Sequence, residues 1–468
     1  MLSLLALLVL WFPLARLPAE YSINYNEGFN TQLAHMAVSG ARLYGAPPQF
    51  VYTTYPPISF YLIGALGAVF GNLNAAGRWI SLLSFFGVAA LAGMIVRQLT
   101  GQRRYAVYAG ACFLIWIAAY KADRVGMNDP QFLAMILSAG GFYCFVRDPV
   151  SVKWLRWSAV LFVVAIFTKQ SLLALPSAVA LQLYLTNRKG LVQWLTAGAV
   201  TGFSLLLVTF LIGGPYLLTD LLIPRIHSYD LLMANVAFYL MFFQIPLVAA
   251  LVWAMREPRL RPDSVTPWAL AAGLFFGFLF CYQGGSDWNH LFDSILALAL
   301  IGGLLLPAVE KAVQALPWRR AVFTVLLVLP FFYTSWILLP QRVPDDAAVL
   351  RAIPQFEREF AAGADFLRRQ AGPVLCENLL LCYAAGKPMT YDPFAADQLV
   401  KTGVVPAERL VRMIDRHDYP VIQLDISAAE PLTADARQRF PAPFMRELLS
   451  RYQPVMRTST FTVFTPKP

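Results

Sequence analysis

The chain has 468 residues, of which 58% are hydrophobic and only 14% charged, with a formal net charge of +10. A soluble globular chain carries about 25% charged residues, so this composition excludes an ordinary soluble domain and predicts a mainly α, polytopic helical membrane protein. A nucleic-acid partner is excluded as well: from Gln341 onward 16 Lys/Arg stand against 15 Asp/Glu, and the remaining 21 bases sit at or between apolar runs, where they report topology.

The first apolar run, 2–17, reads as a retained span, because cleavage after Ala19 would leave Leu17 three positions before the cut, where a small residue is wanted. A first outer loop, 19–77, follows. Within it, 58–70 lies between Tyr55-Pro56-Pro57 and Gly71-Asn72. It is short for a crossing of about 20 residues and reads as a re-entrant or juxtamembrane helix. Further spans are expected at 78–97, 105–121, 130–146, 157–168, 171–186, 191–212, 234–254, 267–282, 291–309 and 321–339. With the first they make about eleven.

Charge alternates between the connectors. One set holds fourteen bases, among them Arg97, Arg103, Arg104, Arg147, Arg256, Arg259, Arg261, Arg319 and Arg320, against Asp148, Glu257, Asp263 and Glu310. The other holds eight acids and seven bases. The positive-inside rule makes the first set cytoplasmic, with the N-terminus inside and the C-terminal part outside. The alternation requires that 58–70 does not cross.

The chain thus divides into a membrane domain, 1–340, and an outer domain, 341–468. The latter is expected to be a small α/β unit, with helices at 355–369 and 443–452 and strands at 373–376, 420–424 and 460–464. Cys112, Cys144 and Cys281 fall in apolar runs and read as packing residues. Cys376 and Cys382 can pair in an oxidising compartment, unless an intervening helix points them apart.

Several polar groups collect on the outer face. Glu27 lies in Asn26-Glu27-Gly28-Phe29 of the first loop, and Arg124 and Asp129 lie in the second. Asp287, Asn289 and His290 open a later span, His227 and Tyr229 lie before another, and Tyr55 precedes 58–70. Lys169, in Phe167-Thr168-Lys169-Gln170, sits between two short apolar runs, where a charge is costly and tends to line a functional cavity. Such a set suits a lipid-phosphate sugar donor whose tail stays in the bilayer. Lys169 and Arg124 would neutralise the phosphate leaving group, and Glu27 would deprotonate the acceptor hydroxyl. The structural alternatives are a solvated loop acid for Glu27, a helix cap for Asp129, a snorkelling side chain for Lys169, and caps or surface groups for Asp287 and His290.

Asn26-Glu27-Gly28-Phe29, Gly40-Ala41-Arg42-Leu43-Tyr44 and Tyr55-Pro56-Pro57-Ile58-Ser59-Phe60-Tyr61 occur in that order, followed by Arg78-Trp79-Ile80-Ser81, Asn128-Asp129-Pro130 and Phe167-Thr168-Lys169. The series resembles the C-type integral-membrane glycosyltransferases, in particular the bacterial branch related to the protein mannosyltransferases and the lipid A aminoarabinose transferases. That resemblance implies transfer from a polyprenyl-phosphate sugar to a cell-envelope acceptor at the outer face of a bacterial inner membrane. It puts the catalytic first-loop acid on Glu27 and a second cavity acid on Asp129. The family's usual Asp-Glu pair is here Asn26-Glu27, which leaves one carboxylate in the motif. A divalent metal ion would then need Glu27, Asp129 and Asp287 to meet. A transporter or flippase of lipid-linked saccharides, and a glycan ligase or polymerase, are the competing readings. The first predicts internal inverted repeats, and none is visible in the sequence.

Overall fold

The computed structural model describes residues 2–45, 50–256, 265–285 and 287–468. Glu257, Arg259, Arg261, Asp263 and Ser286 lie outside the described residues. The molecule is 71% helical. In chain order the membrane half contains α1 (Leu2–Ala15), α2 (Tyr25–Val38), α3 (Ile58–Phe70), α4 (Leu73–Thr100), α5 (Arg103–Tyr120), α6 (Gln131–Arg147), α7 (Val152–Ile166) and α8 (Ala174–Thr186). There follow α9 (Arg188–Gly213), α10 (Leu217–Leu221), α11 (Tyr229–Arg256), α12 (Val265–Cys281), α13 (Phe292–Val313) and α14 (Arg319–Val328).

By length and composition, four helices are long and apolar enough to cross a membrane: Leu73–Thr100, Arg188–Gly213, Tyr229–Met255 and Trp288–Val313. A fifth arises if the pair Arg319–Phe331 and Thr334–Arg369, bent by 60°, is one span. Length alone therefore yields fewer spans than the eleven expected, because Leu2–Ala15, Ile58–Phe70, Gln131–Arg147, Ala174–Thr186 and Val265–Cys281 are shorter apolar helices. In α9 only 6% of the apolar window is buried, and Val192, Phe203 and Leu211 project outward. A face that is apolar and open in this way fits contact with lipid rather than water. The inner faces of α4, α5, α6, α12 and α13 make one core around Phe85, Phe113, Trp116, Phe132 and Phe292.

The first outer loop holds more structure than its polar sequence shows. In α2, Asn24 caps the N-terminus by accepting from the Asn26 N–H, and eight successive residues, Glu27 to Ala34, are buried. Two glycines permit the close approaches that bury it. A Cβ on Gly28 would lie 2.2 Å from the Leu380 backbone nitrogen, and one on Gly77 would lie 2.1 Å from Asn128 Oδ1.

The expected membrane and C-terminal parts are joined without a break. α15 (Leu339–Arg369) runs for 31 residues with Pro344 and Pro354 inside it, so a helix joins the two halves where the sequence places the boundary between 340 and 341. Arg342 donates to the Ala118 carbonyl at 2.7 Å and pairs with Asp346 at 2.9 Å, which pins this helix to the end of α5.

Beyond it come β1 (Val374–Cys376), α16 (Leu379–Ala384), α17 (Pro393–Lys401), α18 (Ala407–Asp415), β2 (Val421–Leu424), α19 (Ala442–Arg451), β3 (Tyr452–Arg457) and β4 (Thr462–Pro466). The sheet order is β1-β2-β4-β3, with β1 and β2 parallel and the other pairs antiparallel. Side chains alternate between two cores: Leu375, Ile422 and Phe464 face Leu410, Ile414 and Phe444, whereas Val374, Val421 and Val463 face Leu367, Leu381 and Phe461. β3 is the exposed edge and carries Pro454, which an edge tolerates. Cys376 and Cys382 form a disulfide: α16 starts only at Leu379, so the intervening chain turns back toward the end of β1. Cys112, Cys144 and Cys281 are buried free thiols.

Candidate active site

Glu27 is held by more donors than any other acid of the expected site. Its Oε1 accepts from Arg78 Nε at 2.8 Å and from the Asn128 N–H at 3.2 Å; its Oε2 accepts from Arg78 Nη2 at 2.7 Å and from the Ile23 N–H at 2.8 Å. Arg78 also donates to the carbonyls of Leu17, Ala19 and Tyr21. Both partners are sealed, with side-chain exposures of 2% and 0%. The sequence reads Glu27 as the base for the acceptor hydroxyl; the structure places its carboxylate against Arg78 and two backbone N–H groups. Glu27 is the centre of a saturated ion pair that ties α2 to α4 and to the second outer loop, and it borders neither cavity described below.

The second loop is stitched to the same network. Asn128 Nδ2 donates to Thr31 Oγ1 at 3.0 Å and to Asn74 Oδ1 at 3.2 Å, while Asn30 Nδ2 donates to the Asn128 carbonyl at 2.8 Å. Asp129, one residue on, is buried as well. Its Oδ1 accepts from Lys169 at 3.2 Å and from the Gln131 N–H at 2.8 Å, and its Oδ2 accepts from Asn26 Nδ2 at 3.3 Å. Arg124 Nη1 lies 3.6 Å away. Burial would raise this carboxyl's pKa, but Lys169 and Arg124 outweigh it and hold the group below its ordinary value. Asp129 thus accepts from the first N–H of α6 and orients two cations from behind the cavity wall.

Those cations face open space. A cavity of about 380 Å³ is lined by residues that include Tyr55, Arg124, Lys169, Gln170, Arg225, His227, Asp287, Asn289 and His290, and the apolar Leu221, Leu222, Ile223 and Phe280. A second, of about 540 Å³, shares Asn26, Tyr55, Arg124, Arg225, Gly285 and Asp287 with the first and extends toward Tyr25, Asp392, Phe394, Lys401 and Arg439. Arg124 Nη2 pairs with Asp287 at 2.8 Å, and Lys121 reaches the same Oδ2 at 2.9 Å. Burial opposes ionisation of Asp287, yet the two cations hold its pKa at about 2. Lys169 Nζ stands 5.1 Å from the Tyr55 ring centre, and the Asn289 amide lies 3.2 Å from the same Nζ. The Arg225 guanidinium stands 5.5 Å from the Phe394 ring centre, and among the described residues it has no carboxylate at ion-pair distance.

Seven expected residues, Tyr55, Arg124, Lys169, His227, Asp287, Asn289 and His290, therefore converge on one cavity. Tyr229 does not. It is 72% exposed, edge-on to Tyr282, and lines neither cavity. Sequence reasoning counted Arg225 only as a topological charge and assigned no role to Gln170, Tyr25, Asp392 or Arg439. Gln170 and Tyr25 adjoin stretches that the sequence does single out, but nothing in those stretches marks their own side chains as cavity-lining.

A divalent cation does not fit this donor set. Glu27 is spent on Arg78, Asp129 on Lys169 and Arg124, and Asp287 on Arg124 and Lys121. Among the described residues no three His, Cys, Asp or Glu side chains are grouped to hold a metal ion. The concentration of cations at the wall suits an anion instead.

No protein-family model and no curated protein matches the sequence. Solved structures do. ArnT from Cupriavidus metallidurans in the apo state is 15% identical, with a TM-score of 0.64 over 99% of this chain and 97% of that chain. The same protein bound to undecaprenyl phosphate is 14% identical, with a TM-score of 0.61 and the same coverage. AglB, the archaeal oligosaccharyltransferase from Archaeoglobus fulgidus in complex with an inhibitory peptide and a dolichol-phosphate, is 12% identical, with a TM-score of 0.58 over 100% of this chain and 74% of that chain. ArnT, a lipid A aminoarabinose transferase, and AglB are both C-type membrane glycosyltransferases. At these identities the likeness is one of fold, and it agrees with the resemblance read from the first-loop motifs.

Proposed function

We propose that the protein transfers a glycosyl group from a polyprenyl-phosphate donor to a cell-envelope acceptor, at the outer face of a bacterial inner membrane. The observation that carries this reading is the wall formed by Lys169, Arg124 and Arg225 beside Leu221, Leu222, Ile223 and Phe280, cationic and apolar at once. A lipid phosphate has that same dual character. The fold neighbours solved with undecaprenyl phosphate and dolichol-phosphate support the same donor class.

In the reaction the bond from the anomeric carbon to the phosphate oxygen breaks, and a bond from that carbon to the acceptor oxygen forms. The leaving polyprenyl phosphate gains negative charge as the acceptor loses a proton. Lys169, Arg124 and Arg225 stand where this charge develops, and preorganised donors of this kind lower the barrier without reorganising. Asp129 acts through them, holding Lys169 and Arg124 in place. Glu27 acts at one further remove: its lock on Arg78 and Asn128 fixes the start of α2, from which Asn26 and Tyr25 reach the second cavity. The outer location is supported by the alternation of connector charge and by the Cys376–Cys382 disulfide, a bond that persists in oxidising compartments.

The test uses the full chain in lipid nanodiscs, undecaprenyl phosphate as binding probe and a panel of labelled undecaprenyl-phosphate sugars as donors, with envelope lipid and glycan extracts as acceptors. Lys169→Met is expected to weaken undecaprenyl-phosphate binding about tenfold to a hundredfold, the effect of losing a charged hydrogen bond. Label carried across vesicles without any transfer would replace this reading with the flippase one.

A further inference from the structure

The wall of cations can meet a leaving group, but its neighbouring acids offer no idle carboxylate: Glu27, Asp129 and Asp287 are each committed to cations. One carboxylate on the second cavity is different. Asp392, contributed by the outer part of the chain, is 1% exposed and has no cation at ion-pair distance among the described residues. Its Oδ1 accepts from the Tyr25 hydroxyl and, at 3.0 Å, from the Phe394 N–H, whereas its Oδ2 is buried with no hydrogen-bond partner. Buried carboxylate oxygens are nearly always satisfied, so an orphan at a cavity needs a reason.

Tyr25 completes the arrangement. It sits one residue before Asn26, lines the second cavity, and its Oη accepts from the Phe394 N–H at 3.3 Å while donating to Asp392. The Arg439 guanidinium lies 4.0 Å from its ring centre, placing positive charge over the phenol.

We propose that Tyr25 and Asp392 form a proton relay that deprotonates the acceptor hydroxyl, so that the outer part of the chain supplies the base for transfer. The inference rests on the glycosyl-transfer reading. The acceptor O–H proton passes to Tyr25 Oη as the Tyr25 proton passes to Asp392 Oδ1. The acceptor oxygen bonds to the anomeric carbon, and the carbon–phosphate oxygen bond breaks with its electron pair leaving on the phosphate. Asp392 ends neutral and Tyr25 is unchanged. Burial first of all pushes the Asp392 pKa up to about 6, with Tyr25, two backbone N–H groups and Arg439 opposing. The ionisable groups around it are Tyr25 on α2, Arg439 before α19, Tyr391 beside it, and Arg225 across the cavity. A base with a pKa near 6 is ionised at neutral pH and still basic enough to accept a proton in the transition state.

A structural role alone is separable from this one, because Asp392 is also the N-cap of α17. Asn caps a helix as well as Asp does and still accepts from Tyr25, but it cannot take up a proton. Asp392→Asn and Tyr25→Phe are compared with the unchanged protein in nanodiscs, with labelled undecaprenyl-phosphate sugars as donors and undecaprenyl phosphate as binding probe. The relay predicts that kcat falls about a hundredfold in each variant, the usual weight of a general base. It also predicts unchanged undecaprenyl-phosphate affinity, and loss in Asp392→Asn of a rise in kcat centred near pH 6. Turnover within about threefold of the unchanged protein, or a pH limb kept in Asp392→Asn, overturns the relay and leaves the glycosyl-transfer reading standing. If the unchanged protein neither binds undecaprenyl phosphate nor transfers sugar, both fall.

Discussion

Glu27 and Asp392 both touch α2, and both are buried, yet they are held in opposite ways. Glu27 has four donors across its two oxygens, two of them from the Arg78 guanidinium, while Asp392 has one oxygen bonded and one idle. A buried acid with every lone pair engaged is a structural tie, because moving a proton there would break several bonds at once. A buried acid with a free oxygen keeps its capacity for proton transfer. The contrast teaches that two buried acids against one helix can be held in opposite ways, and that the number of donors around each carboxylate separates them.

The largest effect is expected from attacking the tie. Arg78→Met strands Glu27 as a buried charge and removes the donor from three carbonyls, which costs about 3–5 kcal/mol. Adding Glu27→Leu is expected to restore most of that loss, since replacing both partners of a buried pair is often close to neutral. Thermal unfolding in detergent measures both, and an Arg78→Met protein as stable as the parent would end the description of Glu27 as a tie.

Next comes the disulfide of the C-terminal sheet. Removing the Cys376–Cys382 bond frees a short loop and is expected to cost about 2 kcal/mol in the C-terminal part of the chain, read as earlier unfolding under reductant.

The pH dependence sharpens the same contrast from another side. Burial pushes Asp392 up to about 6, and burial with neighbouring Glu377 pushes Asp425 up to about 7. Both groups hold protons in the folded chain that the unfolded chain releases near 3.8, the ordinary value for Asp. Their contribution is therefore fully present below that value and is lost as pH rises toward 6 and 7. Asp287, held at about 2 by its cations, has the opposite sign, with stability present above 3.8 and lost as pH falls toward 2. Asp425→Asn is expected to flatten the decline in Tm between pH 4 and 7; an unchanged slope would count against the raised value.

The smallest effect belongs to Tyr229→Ala. Its side chain is exposed and outside the cavities, so stability should shift by no more than about 0.5 kcal/mol and sugar transfer should not change.

The long apolar helices were legible because length and hydropathy are local properties: α4, α9, α11 and α13 extend expected spans by a few residues at their ends. The cavity was partly legible for a related reason, since a charge such as Lys169 at membrane depth is too costly to be incidental. Three things were not legible. Helix α2 buries Glu27, Asn30, Thr31 and Gln32, polar residues whose partners lie as far as 355 positions away, so no periodicity marks its buried face. The Glu27–Arg78 tie spans 51 positions, and neither the connector charge nor the Arg78-Trp79-Ile80-Ser81 stretch says which acid Arg78 meets. Asp392 and Tyr25 are separated by 367 positions and meet only because Gly28 lets α2 rest on α16.

The continuity of α15 has a mechanical consequence. A 31-residue helix is about 46 Å long. With its first turns bolted to α5 through Arg342, it is a beam that sets the height and heading of the sheet it feeds. A C-terminal sheet mounted on such a beam is poorly suited to swing aside as a lid.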